Sequence, residues 1–131
     1  EKYIPQLAAC TDVFLWDYKD SDSDRHRQYT GVGNEMILRN LSALNAYRAD
    51  VRLRCIIVAG VNDRFSHMDA IAELYHRLDC IHSVELLAYH PFGTAKAGLL
   101  GHTVPEHREW IPGNLTPYKD YLREKGVCVY E

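Results

Sequence analysis

Short apolar runs of strand character alternate along this chain with stretches whose apolar residues recur at helical spacing, and this alternation limits the fold more than any other feature. VFLWDYK (13–19), VRLRCIIV (51–58) and SVELLAYH (83–90) read as buried strands. Between the first two, EMILRNLSALNAYR places Ile37, Leu41 and Leu44 on one helical face, with Asn34 as N-cap. Between the second and third, Met68, Ile71, Ala72, Tyr75 and Leu78 form a second stripe, with Ser66 and Asp69 spaced as a capping box. Thr116 and Pro117 open a last helix that Gly126 closes, and VCVY is a short final strand. SDSDRHRQYTGVGN and the stretch from Phe92 to about Asn114 read as irregular. Strand–helix alternation predicts an α/β fold on a parallel sheet with right-handed crossovers. Three main strands cannot close a barrel. An arc of barrel wall and a flavodoxin-like sheet are the two architectures in play.

Strand alternation puts Val13, Leu15, Asp17 and Lys19 on one side of the first strand. An acid and a base thus end an otherwise apolar run. Arg52 and Arg54 of the second strand and His90 at the end of the third are expected on the same sheet face. In α/β folds ligands bind at the C-terminal strand ends. Charges taken from water are costly unless paired. From periodicity the cluster reads as a small-molecule anion site. The plain alternative for each residue stands beside it: Asp17 and Lys19 pairing with each other, Arg54 in a structural ion pair, and His90 satisfied at a loop start.

The totals narrow the functional classes. The chain has 131 residues, enough for one domain, and a net charge of −3, which makes a poor electrostatic footprint for nucleic acid. No apolar run is long enough to span a membrane, and no signal-peptide pattern opens the chain. Cys10, Cys55, Cys80 and Cys128 are widely spaced, without the close pairs of a zinc site, and read as reduced, mostly buried thiols of a cytoplasmic protein. HTVPEH lacks the H-E-x-x-H spacing of a zinc protease, and YTGVGN is no dinucleotide fingerprint.

Four strings in order resemble the glycyl-radical-enzyme activating enzymes, the family that includes the pyruvate formate-lyase activating enzyme. The first is the D-x-K strand with Asp17 and Lys19. The second runs from His26 through Thr30, Gly31 and Asn34 into Ile37, Leu38, Asn40 and Leu41. VRLRCIIVAGVND and VELLAYHPFGTAK complete the set, departing by Ala59 and Ala88 where the family has proline. The resemblance covers roughly residues 10–101 and fades after Gly101.

It implies a radical S-adenosylmethionine (SAM) enzyme on a partial TIM-type (β/α)6 barrel. Residues 1–131 would be its C-terminal half, about strands 4–6 with their helices. It also implies a 4Fe–4S cluster on a C-x3-C-x2-C motif, which this sequence does not contain. By that resemblance Asp17, Lys19, Arg54 and His90 line the SAM site, with a monovalent cation near Asp17. The implied partners are a pyruvate formate-lyase-like glycyl radical enzyme and a flavodoxin- or ferredoxin-type electron donor.

Without its cluster motif the chain by itself is expected to be inactive, and with uncovered edges to self-associate. Another radical SAM enzyme, or a non-catalytic half-barrel binding module, are the alternatives.

Overall fold

The structure, a computed structural model, describes residues 2–103 and 107–131. A parallel three-stranded sheet in the order β1-β2-β3 carries the fold, with β1 at Phe14–Asp17, β2 at Val51–Ile57 and β3 at Ile81–Ala88. Helix α1 (Ile4–Cys10) precedes β1, while α2 (Ser23–Thr30) and α3 (Glu35–Ala46) connect β1 to β2. Helix α4 (Phe65–Arg77) connects β2 to β3, and α5 (Gly93–Leu99), a 3-10 turn (Arg108–Trp110) and α6 (Thr116–Glu124) follow.

One face of the sheet is packed and the other is open. Val51, Leu53, Cys55 and Ile57 of β2 are fully buried, against Leu41 and Leu44 of α3, Met68 and Ile71 of α4, and Leu122 of α6. Their neighbours Arg52, Arg54 and Ile56 are only half-buried. Leu15 of β1, in register with Arg52, is 57% exposed. The stripes expected on α3 and α4 are thus the ones that bury, which is the burial that stabilises such helices.

Several expectations need correction. The polar run after Lys19 is not a loop: Asp22 caps α2 by accepting from the backbone N–H groups of Asp24 and Arg25. It lacks an apolar stripe, so periodicity could not find it. The stretch after Phe92 holds α5, a helix the turn-rich composition concealed. Ser66 and Asp69 form no capping box. The helix starts at Phe65, and Asp69 instead accepts from the Tyr121 hydroxyl at 2.8 Å and the Lys125 ammonium at 2.9 Å, fastening α6 to α4. Thr116 is the first residue of α6 rather than its cap, and Asn114 Oδ1 accepts from its N–H at 2.9 Å.

The expected final strand shrinks to one parallel bridge between Val129 and Val84. Cys55 and Cys80 are buried, but Cys10 and Cys128 are exposed.

Candidate functional site

The register of the sheet sets a row of charge across its open face. Asp17 aligns with Arg54, and Arg54 with Glu85. Lys19 Nζ lies 2.9 Å from Asp17 Oδ2, Arg54 Nη1 lies 3.9 Å from Asp17 Oδ1, and Arg54 Nε lies 3.4 Å from Glu85 Oε2. Two cations and two carboxylates thus alternate, Lys19–Asp17–Arg54–Glu85. The Asp17 and Lys19 side chains are 43% and 47% exposed, so their pairing costs little to exchange for a ligand's charges. Both Asp17 oxygens face these cations, so the geometry offers nothing in favour of a monovalent cation there.

Glu85 is a member of this row that sequence reasoning missed. Its signal was the alternation of Ser83, Glu85 and Leu87 opposite Arg52, Arg54 and Ile56. Arg52 leaves the row and lays its guanidinium over the Tyr130 ring, 3.4 Å from the centroid. His90 does not join it either. It is exposed, packs against Phe92 with the rings tilted by 37° and centroids 4.1 Å apart, and lies past the end of β3. The residue of that segment that lines the neighbouring cavity is Tyr89.

Lys19 is held from behind by buried polar groups. Asn62, in the loop after β2, donates from Nδ2 to the carbonyls of Lys19 (2.7 Å) and Ile56 (2.8 Å), and its Oδ1 accepts from Val58 N–H (2.7 Å). Asn34 does not cap α3 with its side chain. It donates instead to the carbonyls of Asp20 (3.0 Å) and Ser21 (3.2 Å). Asp20 is buried and paired with Arg64, which also donates to the Val61 carbonyl at 2.8 Å. Ser21 donates its N–H to Nδ1 of the fully buried His67 at 3.2 Å, and burial pushes the His67 pKa down to about 4. Asn34 of the T-G-x-x-N string and Asn62 of the G-x-N-D string therefore act together to fix the backbone on which Lys19 is mounted.

Beside Lys19, at the C-terminal ends of β2 and β3, a cavity of about 280 Å³ is walled by Tyr29, Tyr89 and Trp110. The strap holding Trp110 is tied to the sheet side by the bond from Ala59 N–H to the Trp110 carbonyl, 3.0 Å. A second cavity of about 330 Å³ opens between Trp16, Lys19 and Val32, and His26 borders both.

No protein-family model matches the chain. It is 34% identical to the choline trimethylamine-lyase activating enzyme of Oleidesulfovibrio alaskensis, over 98% of this chain and 41% of that protein. It is 36% identical to the trans-4-hydroxy-L-proline dehydratase activating enzyme of Clostridioides difficile, over 70% of this chain and 30% of that protein. The pyruvate formate-lyase-activating enzyme of Staphylococcus epidermidis is 31% identical over 76% of this chain and 40% of its own length. The chain's homologues are glycyl-radical-enzyme activating enzymes.

The chain spans less than half the length of each of these activating enzymes. The same fold occurs in a crystallised domain of a pyruvate-formate lyase-activating enzyme from Bacteroides vulgatus. The TM-score is 0.79 at 19% identity, covering 99% of this chain and 73% of that one.

The row on the open face matches a ligand that carries an ammonium and a carboxylate together: Asp17 answers the first charge, Lys19 and Arg54 the second, and Glu85 holds Arg54. An iron–sulfur cluster finds no such match. Among the described residues no group of three or more His, Cys, Asp or Glu could hold a metal ion. No described helix is long and apolar enough to cross a membrane.

Proposed function

We propose that this chain is part of a radical SAM activating enzyme that places a glycyl radical on a partner enzyme, and that its open sheet face forms part of the SAM site. The observation that carries the reading is the alternating row Lys19–Asp17–Arg54–Glu85 across the open sheet face, starting at the end of β1, in a chain whose homologues are activating enzymes. The sequential order β1-β2-β3, with one face packed by helices and one open, supports an arc of a partial (β/α)6 barrel over a doubly wound sheet, whose strand order reverses at a switch point.

In this reading Lys19 and Arg54 hold the carboxylate of SAM and Asp17 its ammonium, with Glu85 keeping the Arg54 guanidinium in plane. Asn62 and Asn34 fix the loop so that Lys19 is presented rather than free to wander. His90, exposed and packed against Phe92, reaches SAM only by turning from that ring. A 4Fe–4S cluster, for which the described residues of this chain offer no ligand group, would supply the electron that cleaves SAM, and the radical so formed would take a hydrogen atom from the partner's glycine. This chain's residues bind and orient SAM. The electron comes from a flavodoxin- or ferredoxin-type donor and the setting is the cytoplasm.

The test uses the natural full-length protein with its cluster reconstituted, mixed anaerobically with SAM, a reductant and a pyruvate formate-lyase-type, choline lyase-type or hydroxyproline dehydratase-type partner. Electron paramagnetic resonance should show the doublet of a glycyl radical on one partner, with 5′-deoxyadenosine formed alongside. SAM that stays intact with every partner overturns the reading.

A further inference from the structure

Arg52 and Arg54 point to the same side of β2, two residues and about 6–7 Å apart, yet their surroundings differ. Arg54 has a carboxylate on either hand, Asp17 and Glu85. In register with Arg52 stand Leu15 and Ser83, neither of which carries charge. Among the described residues Arg52 makes no ion pair, and its Nε is buried without a hydrogen-bond partner. The nearby acids are engaged elsewhere. Asp50, two residues back, lies 3.3 Å from His82, and Glu131, next to Tyr130, pairs with Arg123.

What Arg52 does have is a ring. Its guanidinium carbon lies 3.4 Å from the Tyr130 centroid. Backbone bonds hold that ring in place: Val84 N–H donates to the Cys128 carbonyl and Tyr130 N–H to the Val84 carbonyl, both at 2.8 Å. The ring covers one face of the planar guanidinium and leaves the N–H donors at its edge without acceptors. An aromatic face attracts a cation but carries no net charge, so half-buried Arg52 still lacks the opposite charge that a desolvated cation needs. A guanidinium, fixed in charge and with its donors in one plane, is matched best by a carboxylate.

We propose that the polypeptide covering the open sheet face in the natural protein seats an Asp or Glu carboxylate on the Arg52 guanidinium, beside Ser83 and against the Tyr130 ring. The occupant is a side chain and not a free anion, because neither cavity beside Lys19 reaches Arg52 and a small ion would sit there on an open surface. Leu15, 57% exposed in the same register, is buried by the same contact. The inference rests on the reading of this sheet as an arc of barrel wall, whose inner face other strands cover. It is separate from the SAM site, since Arg52 lies one layer of side chains below the charged row, toward the start of β2.

The experiment uses the natural full-length protein labelled with 15N at arginine. A carboxylate clamp slows rotation about Cζ–Nη, so Arg52 should give separate Nη proton signals, which Arg52→Met removes and thereby assigns. Arg52→Met should also lower the urea midpoint, and Arg52→Lys, which keeps the charge, should restore at least half of the loss. Formate, chloride and saturating SAM should leave the signals in place, and Arg52→Met should leave SAM affinity unchanged. Averaged Nη signals, a midpoint unmoved by Arg52→Met, or signals that shift with SAM or with formate overturn the proposal. Failure of the SAM reading shows instead in Arg54→Met, where the Arg52 signals should persist.

Discussion

The side-chain amide of Asn62 donates to the backbone carbonyl of Lys19 at 2.7 Å, across 43 positions of sequence. That bond joins the end of β1 to the loop after β2, and it decides where the Lys19 side chain starts. Two further bonds of the same amide, to Ile56 and Val58, close the loop on itself. Replacing Asn62 by Ala strands two carbonyls and one N–H, and should lower stability by about 3 kcal/mol. Asp at this position keeps the acceptor and loses both donors, so chemical denaturation should rank Asn62→Asp as no better than Asn62→Ala.

Asp20 and Arg64 form the charge pair under the same loop, with the Asp20 side chain nearly closed off from solvent. Removing one member of such a pair leaves the other charge uncompensated, at a cost of about 3–5 kcal/mol when fully buried. Arg64 retains some solvent contact and its bond to Val61, so Asp20→Asn should cost about 2–3 kcal/mol in a urea melt. An unchanged midpoint would show the pair to be incidental.

His67 makes stability depend on pH. Burial holds its folded pKa down at about 4, against about 6.5 unfolded, so between these values the unfolded chain binds the extra proton. The contribution is complete above pH 6.5, shrinks as pH falls through the window and is gone below about 4. Its full size is on the order of 3 kcal/mol. Urea midpoints measured from pH 7.5 to 4.5 should fall more steeply for the wild type than for His67→Phe, and parallel curves would contradict the assignment.

The open sheet face, with Leu15 mostly exposed beside the charged row, should be covered by another polypeptide surface in the working protein. The 131-residue chain prepared alone should self-associate through it. Sedimentation at high concentration that gives a monomeric mass, together with a folded circular-dichroism spectrum, would contradict this.

The strands and the stripes of α3 and α4 were legible because burial on one face imposes a period, and Leu41, Leu44, Met68 and Ile71 all carry it. Asp17, Lys19 and Arg54 were legible as a cluster for the same reason: alternation and parallel register put them in one row. Glu85 obeys the identical rule and could have been found. Helix α2 could not be found by period, because its order comes from the Asp22 cap and from the ion pair between Asp24 and Arg27 at 3.0 Å. Asn34 and Asn62 looked like turn or cap residues. Their actual bonds run to backbone carbonyls brought near only by the fold, and no local pattern announces those. Trp110 lies in the segment where the resemblance has faded, and contacts made only in the fold, the strap's bond to Ala59 and the ring contacts with Tyr29 and Tyr89, place it at the mouth. Val104–Glu106, in the middle of HTVPEH, lie outside the described residues.

The central claim is that Lys19 and Arg54 hold the carboxylate of SAM. Calorimetric titration of SAM into the cluster-loaded full-length protein tests it most directly, comparing the wild type with Lys19→Met and Arg54→Met. Each lost charge-assisted bond is worth about 1.5–3 kcal/mol, so affinity should fall about tenfold to a hundredfold in each variant, with folding intact. Affinities equal to the wild type in both variants would remove the charged row from the cofactor site and leave it a structural ion-pair network.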